Sequence, residues 1–318
     1  MKNIYVIIAA ILILLMLTLP LVSLKSAPKP NTNTPSTITP TEDAADTVTI
    51  LNTESGEKTT LSVKEYIFGV VAAEMPLSYN DEAIKAQAVA AYTFLLYRTK
   101  QNADKDYDIT IDSQTDQAFI SGEQLTKKWG DNFNEYAARL NNLLNEVDGM
   151  FIAYNGQPIL AVYHAISSGK TETAKNVWGS SISYLSAVES IGDLLSPDYL
   201  STAKVSTDDF KQAFESKCSL PKTQENYIEK ISRSKSGTVT SIVIGGKTFK
   251  GSDIRAAFSL RSSNFDVELK DNNFIFTVRG YGHGVGMSQY GANYMATQGN
   301  TFSEILCWYY KGCEIRKF

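Results

Sequence analysis

The chain runs to 318 residues with a formal net charge of −4, acids and bases interspersed along it. No basic stripe runs through it, which argues against nucleic acid, and the acidic balance argues against an anionic polymer as the main ligand. Cys218, Cys307 and Cys313 have no metal-ligand spacing, and an odd count leaves at least one unpaired outside the cell; a Cys307–Cys313 bridge stays open.

The first element is apolar. From Ile4 to Leu24 no charge interrupts the run, a length that crosses a bilayer core as a helix. A cleaved signal peptide has a shorter apolar core and a small-residue cleavage site, and Leu21 to Ala27 offers only a poor one. An uncleaved, single-pass membrane anchor over residues 1–25 is therefore expected. Lysines flank both ends, so charge does not set the orientation; the large domain that follows is expected to lie outside the cytoplasmic membrane. Residues 26–46 are rich in Pro, Thr, Asn and Ser and read as a flexible tether. Residues 47–318 have a globular composition, with chain enough for one large core or two smaller ones.

Val48–Leu51 and Thr60–Ser62 predict a short hairpin. Ser62-Val-Lys-Glu65 is a capping box that starts a helix running to about Glu74 and stopping before Pro76. An alanine-rich helix follows from about Asp81 to Arg98, and another from Leu125 to Val147. Phe151–Tyr154 and Pro158–Tyr163 flank Asn155-Gly156, a strong hairpin turn. Ile242–Phe249 and Val267–Arg279 predict two further hairpins, and Met287–Thr297 and Phe302–Tyr310 closing helices. Helices and strand pairs come in blocks, without regular βαβ units. The expected class is α+β, with helices and antiparallel strand pairs forming a cleft behind one transmembrane helix.

Chemistry concentrates in three places. In the first helix Ile67, Val70, Val71 and Glu74 follow helical spacing, which puts Glu74 on the apolar face in the last turn. Burial and the negative end of the helix dipole both disfavour a charged carboxylate there, so the pKa should rise toward that of a general acid. The plain alternative is a side chain fraying into water. Lys85 could face the same cleft from the next helix, or lie on the surface. His164 ends a strand that leads into Ser167-Ser-Gly-Lys-Thr-Glu172; the Walker glycine is absent, so this is no phosphate loop. The stretch Tyr281 to Ala292 holds four glycines and one of the two histidines, His283, with Ser288, Gln289 and Tyr290. Its glycines permit positive φ and let a ligand or another backbone come close. A tight glycine turn entering a packed helix is the alternative.

Ala73-Glu-Met-Pro76, Glu82-Ala-Ile-Lys-Ala-Gln-Ala-Val-Ala-Ala91, Tyr163 to Glu172, Val177-Trp-Gly179 and Gly280 to Ala292 together resemble the stage II sporulation protein D family, peptidoglycan lytic transglycosylases with a related LytB domain. The resemblance covers nearly all of residues 47–318. It implies that Glu74 is the catalytic acid and that Lys85 lines the cleft. It implies that His164, Ser168, Lys170, Thr171 and Glu172 bind glycan together with His283, Ser288, Gln289 and Tyr290. It also implies cleavage between N-acetylmuramic acid and N-acetylglucosamine in strands stripped of stem peptide, leaving 1,6-anhydro ends, with a cell-wall amidase and a membrane scaffold protein as partners in engulfment. No cofactor is implied.

The chain departs from the family pattern in places. Tyr92 stands where Arg is common, and a Gln-x-Tyr-x-Gly segment survives only loosely as Gln117 to Gly122. Some members bind zinc through cysteines after the strand histidine; here serines follow His164, so no structural zinc is expected. The rival functions are a non-catalytic wall-binding scaffold and a hydrolytic muramidase.

Overall fold

The structure, a computed structural model, describes residues 47–318. The expected anchor and tether lie outside the described residues. Among the described residues no helix is long and apolar enough to cross a membrane.

β1 (Thr47–Leu51) and β2 (Lys58–Ser62) form the expected antiparallel hairpin. Ser62 then caps α1 (Val63–Glu74). Its hydroxyl accepts the Glu65 N–H, and the Glu65 carboxylate accepts the Ser62 N–H at 2.9 Å, closing both halves of the capping box. Such a cap contributes about 1 kcal/mol and fixes where the helix begins, hence where Glu74 ends it. α2 (Asp81–Gln101) runs through the middle of the main core. It is buried on most of its faces, and its alanines at 83, 86, 88, 90 and 91 let neighbours pack close. β3 (Ile109–Thr110) adds a parallel pairing to β1.

The single helix expected over Leu125–Val147 is broken. α3 (Gly122–Trp129) and α4 (Phe133–Glu146) are separated by a 3-10 turn that starts at Gly130, whose φ of +51° lies outside the right-handed helical region. β4 (Met150–Tyr154) turns through Asn155 and Gly156, both at positive φ, as the hairpin signal requires. Its return strand β5 is only Gln157–Pro158. The Leu160 N–H goes instead to the Tyr184 hydroxyl at 3.1 Å, and the chain leaves the sheet. It re-forms as β6 (Tyr163–His164), paired in parallel with a distant strand. α5 (Ala174–Trp178) follows.

Residues 200–279 build a second core that the sequence reading resolved only in its hairpins. β7 (Leu200–Ser206), α6 (Thr207–Phe214), β8 (Ile228–Arg233), β9 (Val239–Ile244), β10 (Lys247–Phe249), α7 (Gly251–Ala257), β11 (Phe265–Lys270) and β12 (Asn273–Arg279) make two three-stranded sheets, β10-β9-β8 and β11-β12-β7. Phe210, Phe214, Phe265, Phe274 and Phe276 fill the space around them. β13 (Met287–Ser288) is extended, so the expected helix starts two residues late, as α8 (Gln289–Thr297), with Ser288 as its cap. α9 (Phe302–Tyr309) and β14 (Glu314–Lys317), which pairs with β4, return the chain to the main core. The class is α+β, mostly antiparallel but with the two parallel pairings.

Candidate active site

Glu74 is the last residue of α1, half-buried at the helix end. Its Oε1 accepts the Ala118 N–H at 3.0 Å, and Gln289 hydrogen-bonds the same carboxyl. Burial holds its pKa above the ordinary range, against the pull of those donors and of the Lys128 charge. The helix dipole is largely answered. Lys128 of α3 donates to the Ala72 and Ala73 carbonyls at 2.7 and 3.0 Å, the groups a helix C-terminus leaves open. Burial, not the dipole, therefore sets the acidity.

A buried polar network backs this carboxyl. Gln117 donates to the Tyr66 hydroxyl at 3.1 Å, and Tyr163 donates to Gln117 Oε1 at 2.9 Å. Gln289 Nε2 contacts Gln87 Oε1 at 3.4 Å. The phenols of Tyr66 and Tyr163 have pKa values raised chiefly by burial and then by nearby negative charge, Glu74 included. Above it the Phe119 ring lies on Gly69, where a Cβ would sit 2.3 Å from the ring.

The glycine loop has a structural reason. Gly280, Gly282, Gly284 and Gly286 all take positive φ, alternating along the chain. A Cβ on Gly282 would meet the His164 Cβ at 2.7 Å, and one on Gly286 the Val162 carbonyl at 2.0 Å. The glycines thus let the loop lie flat against the His164 strand; the close approach is to another backbone. β13 then pairs with β6, and Ser288 caps α8, which carries Gln289 toward Glu74. Asp193, wholly buried in a 3-10 turn at Ile191–Leu195, fastens the two segments: Oδ2 accepts the Ser167 N–H at 3.0 Å and the Ser167 hydroxyl, and Oδ1 the Ser288 hydroxyl at 2.7 Å.

Both histidines are neutral at neutral pH. His164 is buried, its pKa driven to about 3 by burial and then by His283, with Arg255 adding to the effect. Its Nδ1 lies 3.1 Å from the Val285 carbonyl, which fixes the proton there, and its buried Nε2 has no partner. His283 accepts the Val285 N–H on Nδ1 at 3.0 Å and reaches the Tyr163 carbonyl with its other nitrogen. Burial and Arg255 hold its pKa near 4. The rings stand 5.7 Å apart, and Trp178 packs on His283 at 5.3 Å.

The remaining predicted residues sit elsewhere or act on the frame. Lys85 pairs with Glu82 and Glu146 and lies over the Phe302 ring; its pKa, lowered by burial, is raised overall by those two acids. The amine whose charge reaches Glu74 is Lys128, 54 residues downstream of it in a helix the sequence drew as continuous. Ser168 donates to the Ser236 carbonyl at 2.8 Å, and Lys170 pairs with Glu189 at 2.7 Å. The Thr171 hydroxyl accepts the Val188 N–H, and Glu172 accepts from Thr173, Asn176 and Ser234. Tyr290 stacks edge-on with Tyr79 at 6.1 Å and donates to the Leu195 carbonyl. Tyr92 is partly buried against the main core. All three cysteines are free thiols. Among the described residues no group of three or more His, Cys, Asp or Glu side chains is placed to hold a metal ion. Lys128 and Asp193 were not singled out from the sequence; Gln87 and Tyr163 lay inside motifs quoted for the resemblance but were given no role, and the loose Gln117 segment was the signal toward Gln117 and Ala118.

A family model described as SpoIID, stage II sporulation protein, matches residues 52–154. The chain is 36% identical over 272 residues to stage II sporulation protein D of Bacillus amyloliquefaciens, covering 84% of this chain and 78% of that one. It is 37% identical over 259 residues to stage II sporulation protein D of Bacillus subtilis (strain 168), covering 80% and 74%. A protein of the same strain named amidase enhancer is 26% identical over 301 residues, covering 79% of this chain and 40% of its own length.

Proposed function

Because the chain belongs to the SpoIID family of stage II sporulation proteins, we propose that it is a peptidoglycan lytic transglycosylase with Glu74 as its acid and base. The observation that carries this reading is a half-buried carboxyl held above its ordinary pKa at a helix end, with Ala118 N–H and Gln289 orienting it.

Glu74 protonates the glycosidic oxygen as the bond to the muramic C1 breaks and positive charge spreads over the sugar ring. The muramic 2-acetamido group shelters that charge. The carboxylate left behind takes the proton from the C6 hydroxyl as that oxygen attacks C1, closing the 1,6-anhydro ring without water. Hydrolytic glycosidases use a second carboxylate. Three other buried acids are already engaged, Asp116 by Arg98 and Thr110, Asp193 by Ser167 and Ser288, and Glu172 by Thr173, Asn176 and Ser234. That favours one-carboxylate chemistry over a muramidase. The proposed setting is the septal wall during sporulation, with the body outside the cytoplasmic membrane and an anchor at residues 1–25. The relative named amidase enhancer supports a cell-wall amidase as partner, and a membrane scaffold protein is proposed beside it.

The test is mass spectrometry of denuded glycan strands after incubation with the full chain. Products one water lighter than hydrolytic ends support the reading. Hydrolytic ends make the protein a muramidase, and intact strands make it a scaffold.

A further inference from the structure

A small cavity of about 240 Å³ opens between the two cores, and Glu74 is not among the residues that line it. The loops at 166–179 and 282–284 form one wall, and α7 with β9 and residues 262–264 the other. Its charge is unlike that of the chain. Two of its cations are already paired, Lys170 with Glu189 and Arg279 with Asp266. Among the described residues no carboxylate pairs with the other three, Lys175, Lys250 and Arg255. Glu172 also lines the cavity, but its oxygens are taken by neutral donors. A chain of net charge −4 therefore holds a locally cationic pocket.

Arg255 is the sharpest feature. It is half-buried, and its Nε donates to the Leu260 carbonyl at 3.3 Å; among the described residues its two terminal nitrogens have no hydrogen-bond partner. A desolvated cation without a counter-charge is costly. The Arg255 charge also disfavours protonation of His164 and His283. Its free fork matches a carboxylate in geometry. Trp178, whose chain neighbours Val177 and Gly179 line the cavity, is 43% exposed and packs on the lining residue His283. An exposed indole at the rim of a polar pocket offers a sugar ring an apolar face.

We propose that this pocket is a subsite for the carboxylate of an acidic sugar, with Arg255 as its bidentate partner and Trp178 carrying the ring. The inference rests on the peptidoglycan reading above. In such a strand the carboxylate on the sugar itself is the muramic lactyl group, which is a free acid only where the stem peptide is gone; with the peptide present it is an amide. The pocket then reads whether a strand has been stripped, through residues other than Glu74.

The experiment measures binding to the full chain in detergent carrying Glu74→Gln, so that no turnover intervenes. The probes are GlcNAc–MurNAc oligosaccharides with free lactyl acids, the same oligosaccharides with lactyl amides, peptide-bearing strands, and chitin oligosaccharides of equal length. A charge-assisted bidentate contact corresponds to roughly tenfold or more in affinity. The free acid should therefore bind about tenfold tighter than the amide. Arg255→Gln should erase that preference while leaving chitin binding unchanged, and Arg255→Lys should keep part of it. Equal binding of acid and amide would overturn the proposal, as would a preference that survives in Arg255→Gln, or tighter binding of peptide-bearing strands. Turnover by Glu74→Gln is read separately: anhydro products made at near-normal rate would remove the catalytic reading, and the carboxylate preference would still be decided by binding.

Discussion

Replacing Asp193 should unfasten the two loops that carry His164 and Gln289. Its carboxyl is wholly buried and accepts three hydrogen bonds, two from Ser167 and one from Ser288. A bond to a charged group is worth about 1.5–3 kcal/mol, and a buried donor left without its acceptor costs about 1–3. Burial holds the Asp193 pKa above its ordinary value, so returning the group to water recovers part of that sum. The net expectation for Asp193→Ala is a loss of about 2–4 kcal/mol. Asp193→Asn should cost only about 1 kcal/mol. The amide oxygen can still accept from Ser167, while Ser288 must turn its hydroxyl away. Equilibrium urea unfolding followed by tryptophan fluorescence measures both. A midpoint shift worth less than about 1 kcal/mol for Asp193→Ala, or an Asn variant as weak as the Ala one, would refute the clamp.

Glu74→Gln should keep glycan binding and lower turnover by roughly 10²–10⁴, read by product mass; near-normal turnover from folded protein would sink the assignment. The same variant tests the burial. A carboxyl whose folded pKa is raised contributes stability that is full below about pH 4.3 and is lost as pH rises through the folded value. Glu74→Gln should therefore melt with the unaltered chain in acid and above it at pH 8; the opposite order would show a stabilised carboxylate. Gly286→Ala should cost at least about 1–2 kcal/mol from its φ of +73° alone, more once the Val162 carbonyl is met, and a thermal melt unchanged from wild type would contradict the stacked loop. Lys85→Ala should lower the melting temperature by removing the bridge between Glu82 and Glu146, with kcat for denuded glycan held; a kcat loss at unchanged melting would return Lys85 to the cleft.

What the sequence made legible was local. Ser62 and Glu65 announced α1, and the i, i+3, i+4, i+7 spacing put Glu74 on its inner face, because caps and periodicity act over a few residues. Asn155-Gly156 gave a turn correctly, yet the strand after it failed. Whether Leu160 bonds to β4 or to Tyr184 depends on where a residue 24 positions away lies. The break at Gly130 was visible as a glycine but not as a positive φ. Lys85 and Lys128 are alike in sequence; only the fold decides which one reaches the end of α1. Asp193 gave no signal, since a lone acid in a short turn looks solvated until Ser167 and Ser288 are brought to it.

The glycine loop shows how these levels join. Four positive-φ glycines let one backbone lie on another, so His283, Ser288 and Gln289 arrive at places fixed by the His164 strand. The same contact buries both imidazoles and keeps them uncharged, with Arg255 adding to the effect. Two neutral histidines cannot serve as counter-charges or as proton donors at neutral pH. On the reading proposed above, proton transfer would fall to Glu74, whose carboxyl is oriented by the Ala118 N–H and Gln289, and anion recognition to the Arg255 guanidinium on the other wall. If the loop were loosened, both functions should weaken together. A Gly282→Ala chain that keeps its melting temperature and turnover but loses carboxylate discrimination would mean that the loop serves the pocket alone. Loss of both in proportion is the expected result, because a Cβ there would meet the His164 Cβ at 2.7 Å and push apart the segments that hold the two sites.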